Sequence, residues 1–460
     1  NCNGIVDPLR RVTPKLIEVG HVHRNLVVTR PDDAAGNGFA IVFELWNRFG
    51  FTSADEFVGV WKLRENGKVT KGGEFEPPAL GPLSRCRFTV PGLAEALAGS
   101  AAGAELLVDF EFATKKDEPW AEKGWVVARD QVALRQCENM KVWNCENAKM
   151  VKCDSTRITE GDKTVTMACG GTKAVFCRKS GTLCELVMGG RTVLKDPAAG
   201  LTAGPLLTCE RAFTDNDIWL RGRSLDAADT FYWSGLTQLR YHARPIVVDG
   251  ATVKTVTEVT GSKSAGFTHE ATWWLDGNDG TLCVSNAVTP HGSMPWSLPR
   301  LGLSMALDPS LENVRYYGRG PWENYVDRCT ACDIAYYAST VTDQFVDYVR
   351  PQDNGYKTDV RWAAFLDKDG DGVLCKGSVP LCVQALHYAM SELELQRHRG
   401  AGSWSDASKE RFYAPMFPRR EVMLNLDIRQ LGLGNGSCGP GPLERYTFPN
   451  QREEWSVTFV

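Results

Sequence analysis

The sequence predicts an all-β protein, and three observations carry that reading. Short runs of alternating apolar and polar residues recur from residue 21 to the end, each bounded by Gly, Pro, Asn or Asp. Long amphipathic helical patterns are missing, and Ser391–His398 is the best short candidate. Aromatic residues make up 10% of the chain, with 14 Trp, a content that suits a sandwich core and equally suits stacking on sugar rings.

Taken in order, residues 1–20 are broken by proline, and Pro14 followed by Lys-Leu-Ile-Glu-Val can open a short helix or a strand. Phe39–Phe43 and Val58–Trp61 read as strands, with Arg64–Lys68 a hairpin turn around Asn66-Gly67. Cys86–Val90 and Glu105–Phe112 are further strands. Short strands at even spacing over about 110 residues, 21–136, predict an immunoglobulin-like β-sandwich, although the Cys…Trp…Cys core of true immunoglobulins is absent. The polar segment 137–157 reads as a linker. Alternation returns at Thr164 and runs to Val460, with turns at Lys179–Gly181, Gly189-Gly190, Asp276–Gly280, Asp367–Gly372 and Gly432–Pro442. A strand region of about 300 residues exceeds one simple sandwich and predicts an extended double-sheet domain over 158–460. No repeat of 20–50 residues is visible, which sets propellers and solenoids aside.

Bulk properties narrow the function. At 460 residues the chain has room for two to four domains. Its 52 basic and 56 acidic residues leave a net charge of -4, which argues against a nucleic-acid partner. No run of about eighteen apolar residues exists, so no membrane span is expected. The 15 cysteines are odd in number and cannot all pair within one chain. Cys329 and Cys332 form a lone C-x-x-C without the two further ligands that a structural zinc needs, and Cys137, Cys145 and Cys153 recur every eight residues in an irregular segment. The chain opens Asn1-Cys2-Asn3 without Met, which reads as a processed chain or a piece of a longer one.

Polar constellations gather in Tyr316–Arg361. After Gly318-Arg319-Gly320-Pro321 come Glu323, Asn324, Asp327 and Arg328, and the stretch ends near Arg350–Gly355. Glycine and proline place these groups on loops, where binding residues concentrate. Asp215 with Asp217, or Glu323 with Asp327, offers the paired carboxylates of glycoside hydrolysis, against the plainer reading of hydrogen-bonded turns. His291, His387 and His398 are isolated; His387 or His398 beside Glu323 is the pairing that a sugar mutarotase would need. Asp367-Lys-Asp-Gly-Asp-Gly372 resembles the start of a calcium loop, but Ser378 stands where the bidentate Glu belongs, so a hairpin turn is expected. Gly432-Leu-Gly434-Asn-Gly436 is followed by nothing helical and reads as a tight backbone bend near a ligand or partner.

Several of these stretches together carry a resemblance. They are Gly4–Arg10 with Pro14–Val19, Asp117–Ala121 followed by Gly124, Arg211–Asp217, Leu298–Gly302, Tyr317–Arg328 and Arg350–Gly355. In this order they resemble the C-terminal part of bacterial β-galactosidases of glycoside hydrolase family two, over nearly the whole chain. The resemblance implies an immunoglobulin-like sandwich followed by a galactose-mutarotase-like β-supersandwich, and hydrolysis of terminal β-galactosides with retention. It makes residues 1–20 the segment that leaves a catalytic barrel. The acid/base and nucleophilic glutamates and the magnesium of that family lie on the barrel, so no catalytic residue and no cofactor is expected in this chain, which alone should be inactive.

The resemblance also implies a loop of the last domain that walls the sugar pocket. Here that loop is Gly432–Pro440, and Cys438 stands where some members carry a stacking Trp. Asn435, Ser437 and Cys438 are the expected substrate-binding residues. Glu323, Asn324, Asp215 and Asp217 are candidates for an ion or interface site, with no metal assigned. Expected partners are a galactoside or other carbohydrate, the protein's own N-terminal barrel and further copies in a homo-oligomer. The alternative is a free-standing, non-catalytic carbohydrate-binding protein of mutarotase-like fold; mutarotase activity itself is a third reading.

Overall fold

A computed structural model describes residues 4–31, 41–135, 156–196, 202–219, 231, 234–276, 280–349, 351–395 and 416–460. Phe39, Cys137, Cys145, Cys153, Arg350, His398 and the expected linker through residue 155 lie outside the described residues. Two compact units divide the chain: Val12–Val142 with Thr330–Tyr336, and Asn1–Arg11 with Trp143–Cys329 and Tyr337–Val460.

The first unit opens with helix α1, Pro14–Val22. Thr13 caps it, its Oγ1 accepting the Leu16 N–H at 3.3 Å, and Pro14 occupies the first turn, where no N–H is missed. Seven strands follow: β1 Leu26–Thr29, β2 Phe43–Asn47, β3 Phe57–Glu65, β4 Lys68–Phe75, β5 Arg85–Phe88, β6 Leu106–Thr114 and β7 Val126–Arg135. They form two antiparallel sheets, β1-β2-β5 and β4-β3-β6-β7, whose inner faces share one core. Alternation of buried and half-buried residues along β3 from Phe57 to Arg64 comes from its pleat. At the centre, the Phe110 ring meets Phe43 edge-on at 4.8 Å and Phe88 at 6.1 Å across the sandwich, with Phe75 at 6.3 Å. Asn66 and Gly67 both have positive φ, 47° and 87°, the turn whose twist suits a two-residue hairpin.

Several strand ends differ from expectation, and Cys86–Val90 becomes β5, Arg85–Phe88. Of the expected strand Phe39–Phe43, the described residues 41 and 42 stand outside β2, which begins at Phe43 opposite Phe88 at the end of β5. The run Glu105–Phe112 becomes β6 from Leu106, since the Glu105 N–H is taken by the Asn66 side chain at 2.9 Å. A short helix α2, Leu93–Ala98, bridges β5 and β6, where no helix was expected.

The second unit begins with a five-stranded antiparallel meander: β8 Arg157–Glu160, β9 Thr164–Cys169, β10 Thr172–Cys177, β11 Thr182–Met188 and β12 Arg191–Lys195. Then come β13 Leu206–Thr208, helix α3 Asp215–Trp219, β14 Arg240–Ala243, β15 Val247–Asp249, β16 Thr252–Thr260, β17 Gly266–Leu275 and β18 Leu282–His291. The rest are β19 Arg300–Leu307, β20 Asn313–Gly320, β21 Asp333–Thr340, β22 Lys357–Leu366, β23 Gly372–Leu386, β24 Val422–Gln430 and β25 Glu453–Phe459. Among the described residues the large sheet runs β13-β19-β24-β23-β25-β18-β17-β16-β14, with β20 to β22 joining beside β23. The predicted double-sheet architecture is present. Apolar faces of the meander and the large sheet close on one core, with Phe176 edge-on to Trp273 at 5.4 Å. Strand β25 sits in the middle of the sheet, between β18 and β23.

Local turns follow their sequences. Asp367 folds the β22–β23 hairpin by accepting the N–H groups of Asp369 and Asp371 at 2.9 and 3.0 Å, and it pairs with Arg191. The helix expected over Ser391–His398 is described over Met390–Leu395.

Candidate functional site

The loop after β24 is held by side chains from three other segments. Asp327 accepts the Leu433 N–H on one carboxylate oxygen at 2.9 Å and the Gly434 N–H on the other at 2.8 Å. Asn216 of α3 donates to the Gly434 carbonyl at 2.6 Å and accepts the Ser437 N–H at 3.1 Å. Arg211 donates to the carbonyls of Leu431 and Gly432 at 2.7 and 3.2 Å. The tip closes on itself: the Asn435 N–H bonds the Pro440 carbonyl at 2.9 Å, and the Cys438 and Gly439 N–H groups both reach the Asn435 carbonyl. The result is a fixed backbone with Asn435 and Cys438 exposed and Ser437 half-buried. Cys438 is a free, exposed thiol.

The other singled-out residues turn inward. Asp217 is buried and bound by both Nε and Nη2 of Arg211, at 3.1 and 2.7 Å. It also accepts the Thr214 N–H and hydroxyl at 2.8 and 2.9 Å, a cap that starts α3. Where a hydrogen-bonded turn was the plainer reading, Asp215 and Asp217 stand in a short helix. Asp215 is half-buried beside Gln352, whose Oε1 accepts its N–H at 3.1 Å. Glu323 is buried and takes three donors: the Arg328 guanidinium, the Tyr348 hydroxyl at 2.7 Å and the Gly355 N–H at 2.8 Å. Asn324 is fully buried; its Oδ1 accepts from the Thr358 N–H and hydroxyl, while its amide donates to the Trp322 and Arg319 carbonyls. Glu323 and Asn324 thus tie the two polar ends of Tyr316–Arg361 to each other.

Beneath these loops lies a buried charge cluster that sequence reasoning did not single out. Arg300, with no exposure, has its Nη1 3.9 Å from Asp353 and 3.6 Å from Asp427, and it donates to Gln384 at 3.0 Å. Tyr325 donates to Asp353 at 2.9 Å, and Tyr356 donates to Asp427. Burial pushes the Asp427 carboxyl up to about 6, against the opposing pull of Arg300 and of the Tyr356 hydroxyl. Burial likewise raises Asp353, opposed by Arg300 and Arg211. The available signal was a charged residue inside an apolar strand run, Arg300 in Arg-Leu-Gly-Leu and Asp427 in Leu-Asn-Leu-Asp-Ile.

The histidines find other carboxylates. His387 lies 2.7 Å from Glu312 through Nε2 and 3.1 Å from the Glu421 carbonyl through Nδ1, so its bonded carboxylate is not Glu323. His291 lies 3.7 Å from Glu258. Among the described residues no group of three or more His, Cys, Asp or Glu could hold a metal ion, and no helix is long and apolar enough to cross a membrane.

The family model described as beta galactosidase small chain matches residues 168–460, and the model described as beta-galactosidase, domain 4 matches residues 43–135. A beta-galactosidase of Priestia megaterium is 26% identical over 450 residues, covering 97% of this chain and 39% of that protein. One of Lactobacillus delbrueckii subsp. bulgaricus is 26% identical, covering 86% of this chain and 36% of its own length. The chain therefore spans about two fifths of the length of these curated relatives. Among solved structures, a GalM/aldose epimerase homologue from C. elegans covers 66% of this chain and 98% of its own, at 10% identity and a TM-score of 0.33.

Proposed function

The chain belongs to the β-galactosidase family, matching its small-chain model over most of the sequence, and from that premise we propose that it is the non-barrel part of a working β-galactosidase. In this reading the remaining length supplies a barrel with two glutamates and magnesium, and hydrolyses terminal β-galactosides with retention. This chain contributes the wall of the sugar pocket, with Asn435, Ser437 and Cys438 at its edge. One observation supports the assignment above others. The sequence aligns over 97% of itself but only 39% of the Priestia megaterium enzyme. The anchored, outward-facing tip of loop 432–440 agrees with it. With a cysteine at 438, this tip offers a thiol in place of an aromatic face, so sugar recognition here rests on the polar groups of Asn435 and Ser437.

The test is turnover of o-nitrophenyl β-galactoside. The chain alone is expected to give none, and addition of the polypeptide carrying the remaining length is expected to give turnover. Turnover by the isolated chain overturns the reading. Galactose binding by the chain, with no gain on addition of that polypeptide, favours a free-standing carbohydrate-binding protein.

A further inference from the structure

We propose that Asp327 is the positioning residue of the sugar-pocket loop, the group that sets where Asn435, Ser437 and Cys438 stand; this rests on the galactosidase reading. Its carboxylate divides its two oxygens between two successive backbone N–H groups, Leu433 and Gly434. Charged acceptors make the stronger hydrogen bonds, and two on one side chain fix orientation as well as distance. Gly432 matches this contact. A Cβ at Gly432 would lie 2.7 Å from the Asp327 carboxylate and 3.1 Å from Tyr446 Cβ, so only glycine lets the acid reach the backbone there. Gly434 has φ +60°, and a Cβ on it would lie 2.6 Å from the Pro442 nitrogen. Gly432 is thus the imprint of the approaching Asp327 side chain, while Gly434 answers to its positive φ and the close Pro442 backbone.

Asp327 touches neither Asn435 nor Cys438 through any described hydrogen bond; it acts through the Leu433 and Gly434 backbone that leads into them. Asn216 and Arg211 keep their own bonds to the loop, so loss of Asp327 frees the Leu433 and Gly434 amides while the other anchors remain. The expected kinetic signature is therefore weaker substrate binding with unchanged chemistry.

Amide hydrogen exchange on the whole chain tests the positioning. In Asp327→Ala, Leu433 and Gly434 should exchange about tenfold faster or more, while Leu426 within β24 keeps its rate. Asp327→Asn, which retains one carbonyl oxygen, should keep one of the two amides protected. Gly432→Ala, which leaves the acid in place but blocks its approach, should reproduce the exposed amides. Unchanged exchange at both amides, or an equal rise at Leu426, overturns the proposal. In the complex reconstituted with the remaining polypeptide, Asp327→Asn should raise KM for o-nitrophenyl β-galactoside about tenfold with kcat within about twofold. A fall in kcat at constant KM also overturns it. If the wild-type complex shows no turnover, the galactosidase reading fails, and the exchange experiment alone still decides whether Asp327 sets the loop.

Discussion

Arg211 grips both carboxylate oxygens of Asp217 through two hydrogen bonds, 3.1 and 2.7 Å, and turns other donors to the carbonyls of Leu431 and Gly432. Both side chains are almost completely buried. Removing the acid strands a guanidinium without its counter-charge. Asp217→Ala is expected to cost about 3–5 kcal/mol in urea unfolding of the second unit. The double variant Asp217→Leu with Arg211→Leu should lose less than the two single changes together, because neither charge is then left alone.

Asp427 gives the same unit a pH dependence of definite sign. Its folded pKa is raised from 3.8 to about 6, chiefly by burial. The folded state therefore holds the proton more tightly than the unfolded chain. This contribution is fully present below about pH 4 and is lost as pH rises through about 6. A shift of this size is worth about 3 kcal/mol. Asp427→Asn, neutral at every pH, should flatten the stability profile between pH 4 and 6; an unchanged slope in denaturant titrations at those pH values would count against it.

His21 in the first unit runs the other way. Burial first, and then the neighbouring Arg24 cation, lower its pKa from 6.5 to about 4. The neutral ring is the favoured folded form, so stability is present above pH 6.5 and lost as pH falls towards 4. An NMR titration of the ring should show no protonation at pH 5.5, and His21→Gln should make that unit less sensitive to acid over this window.

Gly59 lies under the Phe75 ring. An added Cβ would fall against that ring, with Cδ1 at 2.8 Å. Phe75 cannot swing aside, since Phe88, Phe110 and Phe112 surround it. Gly59→Ala should cost about 1–3 kcal/mol, read as a lowered unfolding midpoint of the sandwich unit.

Local chemistry was legible wherever one residue type admits one backbone. Asn66-Gly67, the Asp367 hairpin and the meander turns each follow from glycine, asparagine or aspartate at a reversal. Strand ends were less legible, because they depend on partners distant in sequence: Phe43 pairs with Phe88 at the end of β5. The site divides in the same way. The Gly432–Pro440 loop is visible as a bend, but its anchors Arg211, Asn216 and Asp327 precede it by more than a hundred residues, and no periodicity links them. Glu323 and Asn324 stand out by composition, yet their partners Tyr348, Gly355 and Thr358 emerge only when the two ends of their stretch meet.

The central position of β25 sets a schedule for making the protein. One flank of this strand pairs with Leu282–Val288 and the other with Cys375–Gly377, so both neighbours are synthesised long before it. Until residues 453–459 leave the ribosome, the large sheet is two open halves whose facing edges carry unpaired N–H and C=O groups. Nascent chains of the second unit thus carry two unpaired sheet edges from the completion of β23 until β25 emerges, an interval open to mispairing.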